Sequence, residues 1–496
     1  MSGSQSKKMI TIPFGEKLSY GFGDLASCLY WSTFMNYMLY FYTDIFGITA
    51  GAVGTMLLIS RCFDGFNDPF MGIVADRTNT RWGKFRPYFV WMCIPLALFG
   101  WLTFTTPEMS AGGRIAWAYC TYIPLMVFYT AINIPYTALL GVISPNPVDR
   151  TTVSSIKFMF AFGAGILTSA FLMPMTLKLG KVDPAMKDTN PEAYLNAQQH
   201  GWSIAFAIIG VLVVLFWLIT FFGTKERVKP PVNQKTNIKQ DLKDLVRNKP
   251  WIILLLTTMS YVLFTAIRST VAAHYFKYFV GEQQLWLPVT GTKLYIFEDL
   301  ISYYNTVGQA ASLIGVLMLP FIVKFLGQKT SFVVLMGISV VSTAFFYFLG
   351  PEAVIPMMLL QIVGSIGGGS VTALLWVMYA DTADYSQWKN GRRATGLVFS
   401  ASTMSQKGGW ALAAFFVGWM LQLFGFVANK VQNAEVIGSL KDMMSIIPAA
   451  VGILSIVIIL FYPISGKLLK TMEEDLAERK EKEDAELASS GGCCNG

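Results

Sequence analysis

The 496-residue chain is 54% hydrophobic and 14% aromatic but only 14% charged, with a mean hydropathy of +0.49. This composition excludes an ordinary soluble domain and marks a polytopic membrane protein. The formal net charge of +8 sits in short connectors rather than in a patch or tail, which argues against a nucleic-acid partner, and the six cysteines and two histidines form no disulfide framework or zinc motif.

In chain order, the polar and basic stretch Met1 to Glu16 precedes an apolar run too long for a signal peptide, so no cleavage is expected. Runs long enough to span a bilayer follow at Leu18–Tyr42, Ala50–Ala75, Tyr88–Phe104, Ile115–Ile143, Val153–Leu177 and Trp202–Phe222. Thr224 to Pro250 then carries eight Lys or Arg against three Asp or Glu and is amphipathic only from Ile238 to Val246; it reads as a cytoplasmic linker with one short helix. Six more runs occupy Trp251–Val280, Leu300–Phe325, Ser331–Leu349, Val354–Ala380, Leu397–Phe424 and Met443–Tyr462. The charged run Lys467 to Leu487 reads as a solvated helix, and Cys493 and Cys494 suggest no role.

These runs predict an all-α membrane protein of twelve transmembrane helices in two six-helix bundles. The expected divisions are a first bundle at 1–223, a linker at 224–250, a second bundle at 251–465 and a tail at 466–496. Alternate connectors are basic, holding Arg77, Arg81, Lys84 and Arg86, then Arg150, then Lys225 to Lys249, then Lys324 and Lys329, then Lys389, Arg392 and Arg393. By the positive-inside rule both termini are cytoplasmic, in a cell inner membrane, with Lys178 to His200 as an external loop. Two bundles joined in this way place a substrate site near the midplane and reach it by alternating access.

Charges inside the second run need a reason. Asp64, Asn67 and Asp68 share one helical face, and an acid at the centre of a spanning helix costs about 2.5 to 3.5 kcal/mol on insertion scales. Clustered oxygens of this kind suit a small hard cation. A structural reading also stands, in which Arg61 pairs with Asp64 three residues on; one arginine cannot neutralise both acids. His274, at the end of the seventh run, reads as structural, and Gly364, Gly367, Gly368 and Gly369 read as a close-packing surface.

An ordered set of motifs runs through most of the chain. It comprises Tyr20-Gly21-Phe22-Gly23-Asp24, Phe41-Tyr42-Thr43-Asp44, Phe63-Asp64-Gly65-Phe66-Asn67-Asp68-Pro69 and Asn79-Thr80-Arg81-Trp82-Gly83-Lys84-Phe85-Arg86-Pro87. Asn133-Ile134-Pro135-Tyr136, Ala380-Asp381-Thr382-Ala383-Asp384-Tyr385, Gly391-Arg392-Arg393 and Lys407-Gly408-Gly409 complete it. The set resembles the glycoside-pentoside-hexuronide:cation symporters of the major facilitator superfamily, which include melibiose and glucuronide permeases. The resemblance implies the major facilitator fold and a sodium site at Asp64, Asn67, Asp68 and Thr130, with a proton as the alternative, because a poorly solvated carboxylate pair can hold one.

The sugar site departs from the galactoside-binding members, whose two acids correspond to Cys28 and Asn133 here. Tyr129, Asn133, Thr403 and Gln406 stand at matching positions, with Trp376 and Trp31 as looser candidates. Arg268 and Lys407 either meet a substrate carboxylate or pair with the acids of the first two runs, and the bidentate guanidinium makes Arg268 the sharper choice for an anionic sugar. On the basic connectors, Arg77, Arg81, Lys84, Arg86, Arg150, Asp381, Asp384, Arg392 and Arg393 either form a cytoplasmic gate of ion pairs or reflect topology alone.

The expected function is cation-coupled symport of a glycoside, pentoside or hexuronide, with sodium ahead of protons and no further cofactor, by a monomer in a lipid bilayer. A proton-coupled symporter and a lipid or drug carrier of the same fold are the alternatives within transport. An enzyme is not expected, since the sequence offers no nucleophile, base or metal cluster.

Overall fold

The computed structural model describes residues 12–144, 147–183, 186–227, 247–287, 291–390 and 395–464, with scattered helical residues up to position 478. Six long helices come first: α1 (Phe14–Tyr40), α2 (Ala50–Arg77), α3 (Pro87–Thr103), α4 (Ala111–Val142), α5 (Pro147–Leu179) and α6 (Pro191–Gly223). Then follow α7 (Lys249–Tyr275), α8 (Phe297–Leu326), α9 (Gln328–Phe345), α10 (Val354–Asn390), α11 (Thr395–Leu423), α12 (Ala434–Met444) and α13 (Ile446–Leu460). Both α1 and α7 end in a π-helical turn, at Phe41–Ile45 and Phe276–Val280.

Among the described residues, eight stretches are long and apolar enough to cross a membrane; they lie on α4 to α10 and on the continuous stretch Ala434–Leu460. α1, α2 and α11 are as long, but Glu16 and Asp24, the Arg61 to Asp68 cluster, and Gln406 with Lys407 lower their hydropathy. α3 is apolar and shorter, at 17 residues.

Three local expectations change. The all-α expectation meets one exception, between α7 and α8, where β1 (Gln283–Leu287) and β2 (Gly291–Tyr295) pair antiparallel, with Gln283 opposite Tyr295. Pro288 and Gly291 in the sequence discourage a helix there, while the flanking Leu, Trp and Tyr suit a pleated pair. α6 begins at Pro191, so His200 lies in a helix rather than in a loop. The Asn190 side chain accepts the Ala193 N–H at 3.1 Å and Pro191 occupies the first turn, which together start the helix early. The last apolar run is interrupted at Ser445, where φ is −130° and ψ −81°. The short linker helix expected at Ile238–Val246 lies outside the described residues.

Among the first six helices, α1 packs on α5 and α6, α3 on α4 and α6, and α2 on α4; among the rest, α7 packs on α11 and α13, and α10 on α8 and α9. Contacts across the two sets run chiefly through α2 with α11, α5 with α8 and α1 with α7. Gly369 permits the α8–α10 approach, since a Cβ there would sit 2.4 Å from the Ser312 carbonyl oxygen.

The two ends of the molecule differ. At one, Glu16 at the start of α1 binds Arg227 after α6 at 2.6 Å, and the Glu226 carboxylate accepts the Lys84, Phe85 and Arg86 N–H groups at 2.8, 2.8 and 3.1 Å. This is the basic end. The π turns of α1 and α7 meet at the opposite end. One apolar cluster there passes from the first six helices into α7, α8, α11 and α12, through Ala266, Phe276, Leu300, Val417 and Leu440. A second cluster is confined to α7 and the helices after it, including Trp251, Leu254 and Tyr379 near the basic end.

Candidate functional site

Helix α2 has no N-terminal side-chain cap and carries Pro69 inside it, yet it runs unbroken, so Arg61, Asp64, Asn67 and Asp68 share one face. Arg61 Nη1 donates to Asp64 Oδ2 at 3.0 Å, and its guanidinium lies 4.8 Å over the Trp31 ring. Asp68 accepts from Thr130 Oγ1 of α4 at 3.1 Å and is ion-paired with Lys407 Nζ of α11. Two acids therefore face two bases. Asp64 and Asn67 are buried, and Asp64 Oδ1 and Asn67 Nδ2 have no partner among the described residues. Buried polar atoms are rarely left so, which identifies a place where a further ligand would gain hydrogen bonds or coordination.

Beside this cluster, α1, α4 and α5 bring together a second polar group. Cys28 Sγ lies 4.0 Å from Asp24 Oδ2, one helical turn back, and Asp24 pairs with Lys157 of α5 at 3.7 Å. Asn133 accepts from Ser27 Oγ at 2.7 Å and donates to the Tyr129 carbonyl at 2.9 Å. The Tyr129 ring stacks at 6.0 Å on Trp31, the ring that also receives Arg61. Sequence reasoning named Cys28, Tyr129 and Asn133 but not the pair Asp24 and Lys157; the available signal was a lone lysine inside the apolar run Val153–Leu177.

A cavity of about 310 Å³ opens mainly against α7, α8, α10 and α11, with Asn36 of α1 and Phe162 of α5 closing it. Its polar lining includes Arg268, Tyr304, Asn305, Gln309, Gln361 and Gln406. Arg268 donates to Thr343 Oγ1 at 2.9 Å, to the Tyr304 hydroxyl at 2.8 Å and to Gln361 Oε1 at 3.3 Å, and lies 4.9 Å over the Phe346 ring. These partners are all neutral. Arg268 Nε has none among the described residues. Apolar walls with a few convergent polar groups suit a small polyhydroxylated ligand.

Other sequence candidates fall elsewhere. Trp376 packs into the second apolar cluster, its ring 6.2 Å from that of Tyr379, and Thr403 is exposed one turn before Gln406; neither lines the cavity. At the basic end, Arg77 and Arg81 are exposed, with Arg81 4.9 Å over the Trp82 ring. Lys84 and Arg86 serve contacts within the first six helices, Arg86 Nη2 donating to the Phe221 carbonyl at 2.6 Å. Arg150 is half-buried, Asp381 is buried and Asp384 half-buried near the end of α10, and Arg392 and Arg393 lie outside the described residues.

Comparisons with known proteins identify the family and the fold. The family model described as "MFS/sugar transport protein" matches residues 19–466. The isoprimeverose transporter of Lactiplantibacillus pentosus is 35% identical over 477 residues, covering 96% of this chain and 93% of the relative. The inner membrane symporter YicJ of Escherichia coli is 33% identical over 469 residues, covering 94% and 95%. Among solved structures, a D-xylose-proton symporter superposes with a TM-score of 0.60 at 12% identity, covering 91% of this chain and 98% of that one, a likeness of fold.

Proposed function

The chain belongs to the MFS/sugar transport protein family, membrane transporters rather than enzymes, and from that membership we propose that it carries a sugar or glycoside across a cell inner membrane by cation-coupled symport. The names of the two relatives, an isoprimeverose transporter and an inner membrane symporter, support this reading. The proposed layout is twelve spans with both termini cytoplasmic: bundles at 1–223 and 251–465, a linker at 224–250 and a tail at 466–496. The basic end is then the cytoplasmic one, because it carries the connectors rich in Lys and Arg.

One observation carries the mechanism. Gln406 and Lys407 are consecutive on α11; the first lines the cavity and the second holds Asp68. With Arg61 on Asp64 and Lys407 on Asp68, the cluster is balanced without any added ion. A cation entering it must therefore displace the Lys407 ammonium from Asp68, because a third positive charge in a neutral, poorly solvated cluster is unfavourable. Once Lys407 leaves, its tie between α11 and α2 is lost and the neighbouring Gln406 shifts with it. Ion and sugar each alter the other's affinity, and the effect is reciprocal.

Sodium is the proposed ion. A proton on Asp68 would also release Lys407, but it would make no use of Asp64 Oδ1, Asn67 or Thr130, whose oxygens suit a hard cation. The cargo is a glycoside, pentoside or hexuronide, contacted by Arg268 and Gln406 from the cavity and by Tyr129, Asn133, Cys28 and the Asp24 and Lys157 pair from the first six helices. The neutral surroundings of Arg268 favour a sugar that bears a carboxylate. Uptake of labelled glycosides and uronides into membrane vesicles, with sodium gradients set against proton gradients, tests the reading. Equal uptake of every sugar with no gradient dependence would refute it.

A further inference from the structure

Away from the cavity and the cation cluster, one buried carboxylate binds the two sets of helices together at the end opposite the basic one. Asp44 lies in the π turn that closes α1, and its side chain has no exposure. Its Oδ1 accepts from Lys277 Nζ at 2.7 Å and from the Tyr278 hydroxyl, both in the matching π turn of α7. Oδ2 lies 2.6 Å from Thr43 Oγ1 and 3.3 Å from His274 Nε2, and that same His274 nitrogen is 2.9 Å from Thr43 Oγ1. The Asp44 backbone carbonyl accepts from Asn429 Nδ2 at 2.7 Å, Asn429 Oδ1 accepts from Lys277 at 2.6 Å, and the Asn429 N–H donates to the Tyr278 hydroxyl at 2.8 Å. The segment between α11 and α12 is thereby drawn into the same knot.

The surroundings are apolar and close-packed. Tyr40 and Phe426 pack edge-on against the His274 ring, at 6.0 and 5.4 Å. Nearby, Asn305 of α8 donates to the Tyr37 hydroxyl at 3.1 Å. α11 also approaches α2 so tightly that a Cβ on Gly418 would lie 2.4 Å from the Ala50 carbonyl oxygen. Partners on both sides of the interface share one carboxylate, so the halves cannot part here while it stays bonded. Once they part, Asp44, Lys277 and Tyr278 each recover water. An arrangement of this kind has two favourable states and little between them.

We infer that Asp44 is the positioning residue on which this end of the transporter closes, and that opening to the side opposite the basic end proceeds by releasing Lys277, Tyr278 and His274 from it. The inference rests on the alternating-access reading but on neither the identity of the sugar nor that of the ion. Asp44 would touch neither ligand. Its removal should shift the balance of conformations and leave the cavity chemistry intact.

The test is thiol accessibility. Ser365 of α10 lines the cavity, and in a background with the native cysteines replaced, Ser365→Cys reports entry of a membrane-impermeant maleimide in right-side-out vesicles, with no sugar and no ion gradient. Asp44→Asn keeps the shape and removes the charge; it should speed labelling by on the order of tenfold, the population change that loss of one charged hydrogen bond produces. Lys277→Gln and Tyr278→Phe should act in the same direction, and they carry the test if Asp44→Asn does not reach the membrane. The charge-exchanged pair Asp44→Lys with Lys277→Asp should return labelling toward wild type. Labelling unchanged in variants that are inserted and melt normally would overturn the inference, and would do so whether or not the protein transports sugar.

Discussion

Lys407 of α11 is ion-paired with Asp68 of α2, joining the two sets of helices within one residue of the cavity-lining Gln406. The pairing makes the ion site and a structural tie between the helix sets the same object. Removing the ammonium should separate the two roles. In Lys407→Gln the cluster keeps two acids against Arg61 alone, so sodium should bind more tightly, by on the order of tenfold or about 1.4 kcal/mol, while uptake against a gradient falls. A sodium titration of the melting temperature reads the first effect. The same midpoint in variant and wild type would count against competition between Lys407 and the ion.

Arg268 supplies a second expectation. Truncating a guanidinium that meets a substrate carboxylate typically costs the charged substrate 10-fold to 100-fold or more in affinity, on the order of a lost charged hydrogen bond or ion pair, and costs a neutral analogue little. Counterflow with a uronide and its neutral glycoside should therefore separate Arg268→Gln from wild type for the first and leave the second within about threefold. An equal loss for both would mean that Arg268 acts through Thr343, Tyr304 and Gln361 as a brace for the cavity wall.

At the basic end, Asp149 ties the start of the chain to α5, accepting from Lys17 Nζ at 2.6 Å and from the Ile12 N–H at 3.0 Å. The hydrogen bond from Lys17 holds its carboxyl below the usual aspartate range. A carboxyl depressed on folding contributes stability that is fully present above its unfolded value, about 3.9, and is lost as the pH falls through its folded value. Asp149→Asn should thus lower the melting temperature at pH 7, with the gap to wild type closing below about pH 4. A gap independent of pH would assign the effect to lost packing.

The apolar segments and the α2 cluster were legible in the sequence, because a charge inside an apolar run announces itself and helical spacing puts Asp64, Asn67 and Asp68 on one face. Partner choice was not. On sequence Lys407 and Arg268 had the same two possible roles, meeting a substrate carboxylate or pairing with the acids of the first two runs, and guanidinium chemistry alone ranked Arg268 first for an anionic sugar. The packing of α11 on α2 carries one to Asp68, and α7 carries the other among the neutral groups of α8, α9 and α10. Thr403 and Gln406 also looked alike until the phase of α11 placed only Gln406 at the cavity. Asp44 stood in the sequence only as part of a motif. Apart from the adjacent Thr43, its partners lie more than 200 residues away, at Lys277, Tyr278, His274 and Asn429, and local pattern carries no information at that range.

The most direct test of cation coupling through Asp68 is sugar uptake into proteoliposomes under an imposed inward sodium gradient, comparing wild type with Asp68→Asn and with Asp68→Cys. Wild type should accumulate sugar above equilibrium, and both variants should lose sodium-stimulated accumulation while remaining in the bilayer and, in counterflow, exchanging sugar. Accumulation at the wild-type rate in either variant, or wild-type uptake indifferent to sodium, would contradict the account.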